Sequence, residues 1–261
     1  MAGQPGIDAT TPWPAVVGLL RRAPDRAAVL LDYDGTLAPI VDDPAAARPL
    51  PESLDALRAL VSAYRLVAVV SGRPASFLAA HLDVPGLVRI GAYGLEQVTD
   101  AGVVELPAVT PWRAAVTGVA RRALAAAPAG VVVEDKGVGV TVHYRTAPAA
   151  AAWSQAFADA EARATGLISH RARFSVELRP PLAVDKGTTV AALLAEARVS
   201  AGCVCGDDTG DVSAFAALAA LPVALRVAVR SAETPPELAA AADLTVDGPE
   251  GVLALLRALA P

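Results

Sequence analysis

The chain of 261 residues is long enough for one large α/β domain, or for a main domain carrying a smaller inserted one. Hydrophobic residues make up 54% and charged residues 19%, a globular balance that excludes a disordered chain. A net charge of −5 and an isoelectric point of about 5.2 leave no basic field to hold nucleic acid or an anionic membrane.

The first dozen residues, MAGQPGIDATTP, lack a basic start followed by an apolar stretch, so residues 1–26 read as a tail and a first helix with no targeting segment. A buried strand, Ala27–Leu31, then runs straight into Asp32-Tyr33-Asp34-Gly35-Thr36-Leu37. On an extended backbone Asp32 and Asp34 share a side at the carboxyl end of a strand. Open α/β sheets bind their ligands there. Pro51–Glu52 opens a helix with Leu54, Leu57, Leu60 and Val61 at helical spacing. Strand Leu66–Val70 ends in Ser71-Gly72-Arg73, and a further strand spans Leu87–Ala92.

The middle reads differently. Val131–Arg145 alternates as two antiparallel strands joined at Gly137–Gly139, followed by an Ala-rich helix, Pro148–Arg163, and a strand, Phe174–Leu178. Strand–strand–helix–strand inside a βαβ chain predicts an inserted α/β domain over 108–181, between core segments 27–107 and 182–261. The core resumes with Asp185 as a helix start, Val190, Leu193, Leu194 and Ala197 at helical spacing, and strand Gly202–Cys205. Alternation of short apolar strands with helices predicts a doubly wound parallel sheet, covered on both faces. The strand leads into Gly206-Asp207-Asp208-Thr209-Gly210-Asp211, where three acids crowd five residues; like charges so placed repel unless a cation sits among them. The longest uncharged apolar run, Val212–Leu225, holds Pro222 and is too short for a membrane span. Cys203 and Cys205 are expected on opposite faces of their strand, unable to pair, as two buried residues of a reduced, cytoplasmic compartment.

Asp-x-Asp-Gly-Thr-Leu after a hydrophobic strand resembles motif one of the haloacid dehalogenase phosphatases. The resemblance implies that Asp32 attacks phosphorus while Asp34 protonates the leaving oxygen and later activates water. It also implies that Ser71 donates to a phosphoryl oxygen, with Gly72 and Arg73 on the substrate side, and that Lys186 is the motif-three lysine. Asp207 and Asp211 match motif four and would hold Mg²⁺ together with Asp32 and the Asp34 carbonyl, with Asp208 ranked behind them. The implied charges are complementary. A phosphate monoester with ionised Asp32 and Asp207 brings about −4 into one pocket, and Mg²⁺ with Lys186 returns +3.

The resemblance sharpens to the trehalose-phosphate phosphatases, enzymes of trehalose biosynthesis, and spans nearly the whole chain after residue 26. It rests further on Glu134-Asp135-Lys136-Gly137, Val142-His143-Tyr144-Arg145 and Val176-Glu177-Leu178-Arg179-Pro180. It implies that Glu134, Lys136 and Glu177 bond sugar hydroxyls from a cap that closes over the strand ends. Four positions depart from the family pattern: Tyr93 stands where many members carry His, Gln97 where a basic residue is common, Gly210 where Thr is usual and Val212 where Glu is usual. The implied protein is a cytoplasmic, monomeric hydrolase of a small sugar phosphate. A related phosphatase for a trehalose-like pseudo-disaccharide or glucosyl-glycerol phosphate is a second reading. A non-catalytic sugar-phosphate sensor is a third, against which intact Asp32, Asp34, Lys186 and Asp207 argue.

Overall fold

The computed structural model describes residues 15–232 and 234–260. The expected N-terminal tail falls largely on residues 1–14, outside the described residues. Helix α1 (Ala15–Arg22) leads into strand β1 (Ala27–Leu31), followed by α2 (Pro51–Val61), β2 (Leu66–Val70), α3 (Ala75–His81), β3 (Val88–Gly91), β4 (Glu96–Thr99) and β5 (Gly102–Glu105). Next come α4 (Arg113–Ala126), β6 (Val132–Asp135), β7 (Val140–His143), α5 (Ala151–Thr165), β8 (Ile168–Ala172) and β9 (Ser175–Arg179). The chain closes with α6 (Lys186–Ala197), β10 (Ala201–Gly206), α7 (Gly210–Ala217), β11 (Val223–Arg230), α8 (Pro236–Ala241), β12 (Leu244–Asp247) and α9 (Gly248–Leu259). It forms two compact units, one from residues up to Val103 and from Val184 onward, the other from Val104–Ala183.

The first unit carries an eight-stranded sheet in the order β12-β11-β10-β1-β2-β3-β4-β5, parallel from β12 to β3 and antiparallel at β3–β4. Strand β1 lies at its centre and every residue in it is buried, as a strand covered on both faces must be. Ala27, Val29 and Leu31 pack on one side with α1, α2 and α9; Ala28 and Leu30 pack on the other with α6 and α7. This period of two corrects the reading of the cysteines. Cys203 and Cys205 lie two residues apart and therefore on one face, in the same core cluster, with their sulfurs 3.9 Å apart as free thiols.

The second unit has a four-stranded antiparallel sheet, β6-β7-β9-β8. One face packs Val140, Val142, Val176 and Leu178 against α4 and α5. The expected strand–strand–helix–strand series lacks two of its elements. Helix α4 precedes it, and β8 (Ile-Ser-His-Arg-Ala) escapes detection because an edge strand with polar, exposed residues has no apolar run. Phe174, expected to begin a strand, is instead the turn residue before β9, with φ 54°. Among the described residues no helix is long and apolar enough to cross a membrane.

Candidate active site

The site begins where β1 runs out. The buried strand delivers Asp32, itself buried, and the Asp32 N–H still bonds the Cys205 carbonyl of β10 at 3.0 Å, so the residue continues the central ladder. The chain then turns sharply. The Tyr33 carbonyl accepts from Leu37 and Ala38 N–H, and the Tyr33 hydroxyl donates to the Ala47 carbonyl at 3.2 Å. Gly35 sits inside this turn at φ +73°, and a Cβ there would overlap the Asp207 carboxylate. Both constraints demand glycine. Gly35→Ala should cost about 1–3 kcal/mol in urea unfolding and displace Asp207. Any thermal stabilisation by an added divalent cation should be lost with it, and an unchanged cation response would show that Gly35 does not set the place of the Asp207 carboxyl.

Lys186 arrives from the other side of the sheet, at the first position of α6. Asp185 caps that helix, accepting from Thr188 N–H at 2.7 Å while Thr188 Oγ1 accepts from Asp185 N–H at 3.0 Å, the reciprocal capping box. The buried Lys186 ammonium bridges Asp32 Oδ1 at 3.0 Å and Asp211 Oδ1 at 2.6 Å. The remaining oxygen of Asp211 accepts from Asp207 and Asp208 N–H, each at 3.1 Å, which folds the loop after β10. Asp211 thus positions both Lys186 and the loop after β10. Asp208 is exposed and accepts from Thr209 N–H in its own turn.

Asp32, Asp207 and Asp211 are buried and offer ligand atoms all within 4.8 Å of one another. Burial, then the charges of Asp32 and Asp211, push the Asp207 carboxyl up to about 9. Burial also lifts Asp32 to about 7, against the pull of Lys186. Burial lowers the Lys186 ammonium, but Asp211 and Asp32 outweigh it and hold the group well above its ordinary value. Fully ionised, the three carboxylates would exceed the one ammonium by two negative charges, and burial with that excess is why Asp207 and Asp32 hold their protons so far above 3.8. Asp207 Oδ1 is moreover buried with no hydrogen-bond partner. An orphaned carboxyl oxygen among oxygen donors that resist ionising without a compensating positive charge fits a hard divalent cation.

The other predicted residues of this unit gather beside Asp34. Arg73 grips it with two parallel bonds, Nε to Oδ2 at 2.7 Å and Nη2 to Oδ1 at 2.6 Å. Ser71 is buried at the end of β2, its hydroxyl accepting from Arg73 N–H at 3.2 Å. Gly72 lies between them.

The second unit brings together Glu134, Lys136 and Glu177. In register across its sheet, Glu134, Thr141, Glu177 and His170 form one polar row, on the face opposite the packed valines. Lys136 Nζ pairs with Glu177 Oε1 at 2.9 Å, and Glu134 bonds His143 Nε2 at 3.0 Å. The Lys136 and Glu177 side chains are only 7% and 8% exposed, which sets them apart from a solvated sheet face. Sequence reasoning missed His143, Thr141 and His170 as members of this surface. Strand alternation was the signal that could have found Thr141 and His143; β8 offered none.

The parallel sheet with acidic loops at adjacent strand ends gives the protein the fold of the class of haloacid dehalogenase-like hydrolases. One such hydrolase from Bacteroides thetaiotaomicron shares the fold, with a TM-score of 0.61 at 14% identity over 88% of this chain and 98% of that one. Within that class the chain belongs to the trehalose-phosphatase family, whose sequence model matches residues 30–250. It is 38% identical over 216 residues to a trehalose-phosphate phosphatase of Mycobacterium avium, covering 79% of this chain and 54% of that protein. The C-terminal domain of the Candida albicans trehalose-6-phosphate phosphatase superposes with a TM-score of 0.76 at 25% identity, over 98% of this chain and 97% of that domain. The chain spans about half the length of the curated relatives it matches.

Proposed function

We propose that the chain hydrolyses trehalose 6-phosphate to trehalose and phosphate through an aspartyl-phosphate on Asp32, with Mg²⁺ held by Asp32, Asp207 and the Asp34 carbonyl. The observation that carries this reading is the Asp32–Lys186–Asp211 bridge beside the orphaned Asp207 oxygen. Mg²⁺, when bound, supplies positive charge against the phosphoryl oxygens. Lys186 takes one Asp32 oxygen and leaves the other to attack phosphorus. As that P–O bond forms, the bond from phosphorus to the sugar oxygen breaks, and Asp34 gives the sugar its proton. A water then attacks phosphorus, loses its proton to Asp34, and breaks the bond to Asp32, which restores the carboxylate and frees phosphate. The bidentate pair with Arg73 takes one lone pair on each Asp34 oxygen and leaves a second on each to carry the transferred proton. Ser71 donates its O–H to a phosphoryl oxygen while its oxygen still accepts from Arg73 N–H. Sugar recognition is assigned to Glu134, Lys136 and Glu177, whose carboxylates accept from several hydroxyls and whose ammonium donates to others.

Phosphate release from trehalose 6-phosphate and glucose 6-phosphate, with Mg²⁺ and with excess chelator, tests the proposal. The disaccharide phosphate should be favoured on the order of 10²-fold in kcat/KM, because polar groups built for a second ring stay unpaired with the smaller substrate. Chelation should abolish turnover, and Mg²⁺ should raise the melting temperature of the protein alone. Equal rates on the two sugars would leave a generic phosphatase, and full activity in chelator would remove the metal.

A further inference from the structure

Between β3 and β4 two successive non-glycine residues, Ala92 at φ 46° and Tyr93 at φ 62°, sit in the left-handed region. Such strain persists only where the surroundings impose it, and it gathers where a structure must hold something in place. Here the surroundings are two elements that carry proposed catalytic residues. The Tyr93 N–H donates to the Ser71 carbonyl at 2.9 Å, and the Ala92 N–H donates to the Arg73 carbonyl at 2.8 Å. The Tyr93 carbonyl accepts from Thr189 Oγ1 at 2.7 Å, on the first turn of α6, three residues after Lys186. The Tyr93 phenol fills the space a side chain at position 72 would need. A Cβ on Gly72 would lie 2.5 Å from the hydroxyl and 2.6 Å from Cζ. The turn from β3 to β4 is further tied to the chain after Arg73 by buried Glu96, which accepts from Ala75 N–H at 2.7 Å.

We propose that Tyr93 is a positioning residue for phosphoryl transfer: its strained backbone spans the Ser71–Arg73 turn and the lysine-bearing start of α6, and its phenol braces Gly72. The inference rests on the proposed phosphatase reaction, since it concerns the spacing of Ser71 and Lys186 around one phosphoryl group. Displacing a group that must meet the reacting atoms costs rate more than affinity. Remote binding of the sugar is left as it was.

The test compares the parent protein, Tyr93→Ala, Tyr93→Phe, Gly72→Ala and the double variant Gly72→Ala/Tyr93→Ala. Each is assayed with Mg²⁺ on trehalose 6-phosphate and on p-nitrophenyl phosphate, whose leaving group has no sugar hydroxyls. Tyr93→Ala should lower kcat on the order of 10- to 100-fold on both substrates with KM little changed, while melting moves by less than about 5 °C. Tyr93→Phe should recover most of the loss, because it restores the ring. Gly72→Ala should reproduce the defect by pushing the ring out, and the double variant should be no worse than either single one. Parent-like kcat in Tyr93→Ala overturns the proposal. So do a loss confined to KM or to the sugar substrate, or losses that add in the double variant. A parent active only on p-nitrophenyl phosphate sinks the trehalose reading, and the aryl substrate then still decides the role of Tyr93. A parent inert on both substrates removes the two together.

Discussion

Asp32→Asn is expected to abolish phosphate release, by on the order of 10⁵–10⁶-fold, the scale on which loss of a covalent nucleophile is felt. No phosphoenzyme should be trapped on acid quenching, because an amide cannot form the acyl phosphate. The same substitution should leave the fold intact. Asn matches Asp in shape, and Lys186 keeps its 2.6 Å bond to Asp211. In chelator the variant should even be more stable than the parent at alkaline pH. The parent carboxyl faces Lys186, Asp211, Asp34 and Asp207, and burial raises it from 3.8 to about 7. A folded-state value above the unfolded one contributes stability that is present below the unfolded value and lost as pH rises through the folded one. The variant has no such loss, so its advantage in melting temperature should widen from pH 5 to pH 8. Covalent labelling of Asp32→Asn, or a variant markedly less stable than the parent at pH 8, would show that Asp32 is not the buried nucleophile described above.

The parts of the site that lie in one stretch of chain are legible in the sequence. A fully apolar strand ending in Asp-x-Asp requires the carboxylates at a strand end, and Asp185 ahead of a helical repeat requires Lys186 at its first turn. The division of labour among groups far apart in sequence is not legible. Arg73, expected on the substrate, spends Nε and Nη2 on Asp34, 39 residues away. Asp211, expected on the metal and one of the three carboxylates that could hold one, also bonds Lys186 with one oxygen and two backbone N–H groups with the other. Both expectations rest on the family resemblance, which names the residues and not the bonds they make to one another. The sheet edges are likewise hidden. Strands β4, β5 and β8 alternate weakly because part of each is exposed, whereas central β1 and β2 announce themselves. The expectation for the cysteines fails on strand geometry alone, since residues two apart in a strand share a face.

Lys186 carries the second large expectation. Its ammonium lies buried between Asp32 and Asp211, with Asp207 beside them, and it is the one cation that bonds this cluster among the described contacts. Breaking a buried pair from one side is costly because the partner charge stays behind without compensation. Lys186→Met removes the charge while roughly keeping the length and apolar bulk of the stem. In chelator it should lower the free energy of unfolding by about 3–5 kcal/mol, read from urea melts with m unchanged. Adding Asp211→Asn should return a substantial part of that loss. The amide oxygen can still accept from Asp207 and Asp208 N–H, so the loop survives while one buried charge disappears. The double variant should regain stability and stay inactive, since nothing replaces the ammonium that fixes the Asp32 oxygen. Should Lys186→Met lie within about 1 kcal/mol of the parent, a margin ordinary for a surface substitution, the two carboxylates would have to be neutral without it. The ammonium would then not be the counter-ion that holds Asp32 ready to attack.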